Sequence, residues 1–338
     1  MKSNHIILLI IAALLTFSAC REITVTTKVN KDGSFTRIIK ITGDSADIFK
    51  KNLPYPIDDS WLMEVKHDSV DTSMYVTYTK TYSSSVLVNT EMQNDTGWMS
   101  QLDRAIEIRK RFGFFYSYLT FEEVVKAANP FTFLNFNDHL TAEDIQWLNG
   151  EILPKSSTDS TIMEEVEEKA LEFLAQSITA EIVDILEEGI RQLDDPEIDP
   201  QIVQNNYDSL LKIVNEWAFD SPDIFIDTLS FLIENKKILA LKQNSELFAA
   251  FNIKVKYFNQ LFDMHDYNQI VIMPGIITET NSLFLKGNQV SWKVENVAFL
   301  FVDYKMHVES RVVNYWMFIV TGILALFLIV LLIIKAFF

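Results

Sequence analysis

The sequence predicts an α+β protein: a curved, mostly antiparallel sheet that is split by an acidic α-helical insertion and followed by one C-terminal transmembrane helix. Three observations predict it. Apolar residues alternate along the chain in both outer parts of the body, which is typical of strands. In the middle part they recur every three or four residues, which is typical of amphipathic helices. Residues 315–334 carry no charge.

The composition excludes several classes of protein and of binding site. The chain has 338 residues, of which 49% are hydrophobic and 22% charged, so wholesale disorder is excluded. A net charge of −17 argues against nucleic acid as a partner, because nucleic-acid binding needs a basic face. The single cysteine excludes an internal disulfide and any metal site built from several cysteines.

Residues 1–19 are predicted to be a lipoprotein signal peptide. Lys2 precedes an apolar run from Ile6 to Leu15 that is too short to span a bilayer. The sequence Phe17-Ser18-Ala19-Cys20 resembles a bacterial lipoprotein signal, so Cys20 is expected to carry acyl chains such as palmitate. The alternative is an ordinary signal peptide with a chance cysteine.

Residues 315–334 are predicted to be a transmembrane helix, because twenty residues at 1.5 Å each match the roughly 30 Å hydrocarbon core. Tyr315 and Trp316 stand at one boundary and Lys335 at the other, so the tail 335–338 is expected in the cytoplasm. The body is then expected on the exported, periplasmic side of the bacterial cytoplasmic (inner) membrane. Anchors at Cys20 and at the helix are expected to hold both of its ends near the lipid.

The first β-rich part is predicted to cover residues 20–124. A turn at Asn30-Lys31-Asp32-Gly33 separates two alternating runs and indicates a hairpin. Met74 to Tyr82 is a further expected strand. The aromatic stretch from Phe112 to Phe121 is apolar on both faces, which predicts a central strand covered on two sides.

The helical insertion is predicted to cover residues 125–250. A stripe from Met163 to Ile190 predicts a long helix, and two more are expected to open at Asp199-Pro200 and Ser221-Pro222. Residues 159–199 hold fourteen acidic and two basic side chains, a net charge of −12. This acidity is interpreted either as a solvated face or as a docking face for a protein partner.

The second β-rich part is predicted to cover residues 251–312. Its strands are expected at Ile253 to Tyr257, at Gln269 to Met273, on both sides of a turn at Lys286-Gly287-Asn288, and from Phe299 to Val308.

A search for catalytic chemistry finds no nucleophile elbow, no phosphate-binding glycine loop and no histidines at metal-ligand spacing, so no enzyme, metal site or cofactor is predicted. One basic cluster precedes the aromatic stretch. It is interpreted either as complementing a helix dipole or as contacting lipid headgroups at the rim of an apolar cavity. The candidate ligand-binding residues are Arg104, Arg109, Arg111, Phe112, Phe114, Tyr116, Tyr118 and Trp292. The alternative for the aromatic residues is that they fill a core.

Several short motifs resemble the LppM-type bacterial lipoprotein family. They are the expected lipidated cysteine before a strand, Asp32-Gly33-Ser34, Met273-Pro274-Gly275, Asn281, Gly287-Asn288-x-Val290-x-Trp292 and a terminal span. The segments Arg111 to Tyr116 and Asn129-Pro130-Phe131 are similar to uncharacterised envelope lipoproteins of the same layout. The resemblance implies a curved sheet around an apolar cavity, as in helix-grip lipid-binding domains.

The sequence therefore supports two hypotheses from different functional classes. The first is a membrane-anchored, non-enzymatic lipoprotein whose exported domain binds a lipid or another apolar ligand. The second is an envelope scaffold whose acidic helices dock a protein partner.

Overall fold

The computed structural model describes residues 21–43, 48–50, 53, 55–67, 74–97, 100–216 and 221–337. The signal segment and Cys20 lie outside them. The chain forms two compact units. The β unit comprises the residues up to 126, 264–295 and those from 303 onward, and the helical unit comprises 127–263 and 296–302.

The β unit contains two sheets. Its strands are β1 (Glu22–Val29), β2 (Phe35–Gly43), β3 (Leu62–His67), β4 (Met74–Tyr82), β5 (Arg104–Gly113), β6 (Tyr116–Val125), β7 (Tyr267–Ile272), β8 (Ile276–Thr280), β9 (Phe284–Lys286), β10 (Gln289–Val294) and β11 (Tyr304–Val313). The larger sheet has the order β3-β4-β2-β1-β7-β10-β9 and the smaller has the order β5-β6-β11-β8. Every neighbouring pair is antiparallel except β1 and β7.

Alternation along the strands explains how the two sheets form a core. In β6 every second residue is buried, including Leu119, Phe121 and Val125, and β1 and β2 show the same pattern. Each sheet thus has one apolar face that must be covered, and the two faces cover each other. The predicted α+β class and mostly antiparallel pairing are confirmed, with the strands divided between two sheets.

The predicted central strand from Phe112 to Phe121 is wrong. These residues span the turn of a hairpin, in which β5 pairs with β6 from Arg104↔Val125 to Gly113↔Tyr116. Phe114 and Phe115 form the turn. Phe112 and Phe114 are 58% and 54% exposed, so this segment is not covered on two sides. Its apolar character has a different origin, which the site below explains.

The helical unit consists mainly of α-helices, and one more helix, α1 (Ser85–Gln93), lies in the β unit. The helical unit contains α2 (Ala142–Leu148), α3 (Ser157–Leu193), α4 (Gln201–Asn205), α5 (Tyr207–Asn215), α6 (Asp223–Leu232) and α7 (Ala249–Phe262). The long helix α3 confirms the predicted stripe. Ser156 caps it by accepting a hydrogen bond from the Asp159 N–H, and its face from Val166 to Ile190 is buried. The helices expected near Pro200 and Pro222 are also present.

Two strand predictions in the later part are wrong. Ile253 to Tyr257 belongs to the helix α7, in which Phe251, Phe258 and Leu261 are buried at helical spacing while Ile253 is 61% exposed. The last strand begins at Tyr304, not at Phe299. The backbone oxygens of Phe299 and Leu300 instead accept hydrogen bonds from residues 128 and 129 within the helical unit.

The C-terminal helix α8 (Tyr315–Phe337) follows β11 after one residue. Its segment Tyr315–Ala336 has a mean hydropathy of 3.2, and only 6% of its eighteen most apolar consecutive residues are buried. A core helix would bury such side chains. At 1.5 Å per residue, 22 residues reach about 33 Å, which is enough to cross a bilayer.

The described chain enters the β unit at the end opposite to this helix. Ile23 pairs with Tyr267, whose ring lies 6.3 Å from that of Tyr55, and the Tyr55 ring centre lies 4.1 Å from the guanidinium of Arg104. Arg104 starts β5, which extends over nine residue steps, or roughly 30 Å, to its end at Gly113 beside the helix. The expected anchor at Cys20 lies outside the described residues and stays a prediction.

Candidate functional site

The tip of the β5–β6 hairpin lies beside the start of the apolar helix. We call residues 112–116 the hairpin tip. Because β11 runs antiparallel to β6, Val313 pairs with Tyr116, so β11 ends where the hairpin turns. The helix α8 starts two residues after Val313. Strand register alone therefore places the hairpin tip and the start of the helix at the same end of the sheet.

Asn314 fastens the two together. Its side-chain N–H groups donate to the backbone oxygens of Gly113 (3.1 Å) and Phe114 (3.3 Å), and its Oδ1 accepts from the Ser117 hydroxyl (3.0 Å). Its backbone N–H donates to the Phe115 oxygen at 2.9 Å. Four hydrogen bonds from one residue fix the turn against the chain that enters the helix.

Aromatic rings continue this contact along the helix. Phe112 stacks on Trp316 with ring centres 6.0 Å apart, and Phe115 lies 4.6 Å from Phe318. Phe318 is three residues into α8, or about 4.5 Å along its axis. Trp316 keeps 56% of its surface exposed, as do Phe112 and Phe114 to a similar extent. The tip and the first turn of the helix thus present one continuous aromatic surface.

A row of two arginines and a tyrosine lies next to the tip, on the outer face of the smaller sheet. Arg111 and Arg311 both pair with Tyr118, one from each side. The Arg111 guanidinium lies 4.4 Å from the Tyr118 ring centre, and the Arg311 guanidinium 5.2 Å from that of Tyr116. Cation–π contacts of this kind orient both guanidiniums along the sheet.

The next row away from the tip is internally neutralised. Arg109 lies 3.2 Å from Glu107 and 3.6 Å from Glu122, and Lys305 lies 2.8 Å from Glu122. The hydrogen bond from Lys305, more than the charge of Arg109, holds the pKa of Glu122 below its usual value. Arg109 therefore belongs to an ion-pair network.

Arg104 lies elsewhere, in a buried polar cluster between the two sheets. Arg37 and Glu123 form an ion pair of 2.7 Å in which both side chains are fully buried. The Tyr55 hydroxyl donates to Glu123, and the guanidiniums of Arg37 and Arg104 lie 4.3 and 4.1 Å from the Tyr55 ring centre. Thr27 accepts two hydrogen bonds from Arg37. This cluster links the sheets, and both of its arginines are at most 5% exposed.

Trp292 is also far from the tip in the topology. It lies on β10 of the larger sheet, is 6% exposed, and donates from its indole N–H to Asn281. The structure therefore brings together five of the sequence-predicted site residues and separates the others. The five residues are Arg111, Phe112, Phe114, Tyr116 and Tyr118.

Two contributors to the site were missed by sequence reasoning, Arg311 and Asn314. A basic residue four positions before an apolar span is a common boundary signal and identifies Arg311. Asn directly before the first helical residue is a helix-start signal and marks Asn314. Their contacts with the hairpin depend on register across about 200 residues, which no local signal shows.

The helical unit has an open groove of its own, with a volume of about 380 Å³. Phe133, Asp184 and Leu247 are among its lining residues. Glu181 accepts a hydrogen bond from Lys254 at 2.7 Å through Oε1, whereas its buried Oε2 has no hydrogen-bond partner in the described part of the chain. The groove therefore combines apolar walls with the exposed carboxylate of Asp184.

Comparison with known proteins assigns no family to the chain. No protein-family model matches the chain, and no curated protein matches it. Among solved structures, it is similar to the NMR structure of the folded domain of LppM from Mycobacterium tuberculosis, with 8% sequence identity and a TM-score of 0.28 over 87% of this chain and 91% of that one. Similarity at this level transfers neither a fold, nor a ligand, nor a function to this chain.

Proposed function

We propose that this chain is a membrane-anchored, non-enzymatic envelope protein that contacts membrane lipid directly through its hairpin tip. One observation carries the proposal: Asn314 and the ring pair Phe112–Trp316 fix an exposed aromatic turn beside the first turn of the apolar helix. If α8 crosses the bilayer, the hairpin tip must lie in its interfacial layer.

The physical chemistry of the interface supports this position. Aromatic side chains favour the layer between headgroups and acyl chains. In water, the exposed Phe112 and Phe114 would cost free energy, since full burial of such a side chain is worth about 1.5–3 kcal/mol. Lipid would cover them without any change in the fold.

The lipid-binding mode differs from an enclosed cavity. Phe112 and Phe114 point outward, and Trp292 lies on the other sheet. The aromatic residues expected to line one pocket therefore do not converge on one. What supports lipid binding is the surface next to the helix, in a protein held by the helix itself; acylation of Cys20, export and the inner membrane remain predictions.

Photo-crosslinking tests the proposal. Benzoylphenylalanine replaces Phe114 in the full-length protein, reconstituted in phosphatidylcholine nanodiscs, and mass spectrometry reads the crosslinked products. We expect phospholipid adducts on Phe114→benzoylphenylalanine. The matched control carries the same group at Ala105, an exposed residue of β5 about 26 Å from Gly113, and should give none. Equal lipid labelling at both positions, or none at residue 114, would overturn the proposal.

A second candidate function is a scaffold that docks a basic protein segment in the groove of the helical unit. It is favoured by the exposed carboxylate of Asp184 on the groove wall, which could accept a hydrogen bond from a lysine or arginine side chain. Benzoylphenylalanine at Phe133, on the groove wall, should then crosslink in cells to one defined protein. That adduct should disappear in Asp184→Asn; an adduct that persists would count against this function.

A further inference from the structure

We infer that Arg111, Tyr118 and Arg311 form a binding site for the phosphate of an anionic phospholipid headgroup. We call these three residues the arginine clamp. The inference rests on the proposed function, since it names the lipid class that the membrane-facing end of the β unit recognises.

The height of the arginine clamp above the aromatic surface fits a headgroup phosphate. Arg111 lies two residues from Gly113 and Arg311 two residues from Val313, so the clamp is about 7 Å from the last row of the sheet. The headgroup layer of a bilayer is roughly 5–7 Å thick on each side. With the hairpin tip in the interface, both guanidiniums lie at the level of the phosphates.

The chemistry of the clamp also fits. The Arg111 side chain is 70% exposed and Arg311 is exposed, and neither guanidinium donates a hydrogen bond to any residue that the structure describes. Glu309 approaches Arg111 only to 3.9 Å and comes from the row farther from the tip. Arg111 and Arg311 flank Tyr118 on the two neighbouring strands, and each guanidinium can donate two parallel hydrogen bonds to a phosphate.

Neighbouring groups set the site apart from the rest of this face. The next row toward the body holds Arg109, which Glu107 and Glu122 already neutralise. On the other side of Arg311 its partner on β8 is Ile276, which is 62% exposed and extends the apolar surface toward the lipid. On the described outer face of this sheet, the positive charges with the weakest carboxylate pairing are thus Arg311, which has no ion pair among the described residues, and Arg111, which Glu309 approaches only to 3.9 Å.

Lipid selection in nanodiscs tests the inference. The full-length protein is reconstituted in equal amounts of phosphatidylcholine and phosphatidylglycerol, and native mass spectrometry counts the lipids ejected with it. An arginine near an anionic surface contributes a factor of roughly five in affinity. We therefore expect phosphatidylglycerol to be enriched several-fold on the wild type and not on Arg111→Gln/Arg311→Gln. The matched control Arg109→Gln should keep the enrichment.

Two further measurements distinguish a lipid headgroup from free phosphate, and the arginine clamp from the proposed function of the hairpin tip. In phosphatidylcholine nanodiscs, 10 mM inorganic phosphate should give no adduct, with sulfate at matched ionic strength as the control. A phosphate adduct that is lost in the double variant would assign the site to free phosphate and overturn the lipid assignment. Equal enrichment in the wild type and the double variant would overturn the clamp. If residue 114 still crosslinks to lipid in that case, the proposed function stands and only the headgroup site fails.

Discussion

Glu123 shows how a single residue can resist prediction and still hold the fold. It occupies an inward position of β6 between Phe121 and Val125, where the alternation calls for an apolar residue. Arg37 occupies the matching inward position of β2, and the two form a fully buried ion pair between the sheets. Removing one partner of a buried pair leaves an unpaired charge, which is far more costly than losing an exposed pair.

Glu123→Gln is therefore expected to lower the free energy of unfolding by about 3–5 kcal/mol, measured by urea denaturation of the full chain in detergent. The exposed pair Lys126–Asp303 supplies the control, since Asp303→Asn should cost less than about 1 kcal/mol. Replacing both buried partners, Arg37→Met/Glu123→Leu, should recover most of the loss. Equal costs for the two single variants would show that the ion pair does not link the sheets.

The same cluster predicts the alkaline limit of stability. Burial raises the pKa of Tyr55 and of Tyr267 above the ordinary value near 10. Because the unfolded chain loses these protons first, stability is full below pH 10 and falls as the pH rises above it, by up to about 1.4 kcal/mol per pH unit for each tyrosine. Urea midpoints from pH 9 to 11 measure this slope, and Tyr55→Phe should reduce it. A slope unchanged by that substitution would contradict the assignment.

At the scale of elements, the sequence predicts what is local. The buried stripe of α3 and the hairpin turn at Asn30–Gly33 were readable because one periodicity or one turn signal decides each. The sequence predicts a strand in place of the helix α7 because Ile253, Val255 and Tyr257 alternate as strand residues do. Only the burial of Phe251, Phe258 and Leu261 distinguishes the helical period from the strand period. The turn at Phe114-Phe115 was missed because neither residue is a usual turn former.

Gly275 lies where the chain that enters β8 approaches β11 too closely for a side chain. It precedes β8 with φ +89°, and a Cβ there would lie 2.2 Å from the backbone oxygen of Arg311. Gly275→Ala is expected to cost at least about 3 kcal/mol, because β8 must move away from β11. Gly33 has a similar φ of +94° with open space around it, so Gly33→Ala should cost only about 1 kcal/mol. Comparable thermal unfolding of both variants would refute the close approach.

At the scale of the whole molecule, the hairpin tip and the start of α8 together form one lipid-facing end. The aromatic residues of the candidate site were identifiable from the sequence, but their role was not. The local pattern of these residues indicates a cavity lining or a core, because it does not show that the side chains are exposed. Their exposure depends on the pairing of Val313 with Tyr116, which brings the start of α8 next to the hairpin. Because α8 starts beside the hairpin tip, α8 determines which surface of the β unit meets the lipid.

The depth of Phe114 in the bilayer shows whether the hairpin tip lies in lipid. A nitrobenzoxadiazole label at Phe114→Cys or at Ala105→Cys, each combined with Cys20→Ser in the full chain, is placed in nanodiscs that contain lipids spin-labelled near the headgroup. The account predicts strong quenching at residue 114 and none at residue 105, about 26 Å farther from the membrane end. Equal fluorescence of the two labels, unaffected by the spin-labelled lipid, would place the hairpin tip in water and contradict the account.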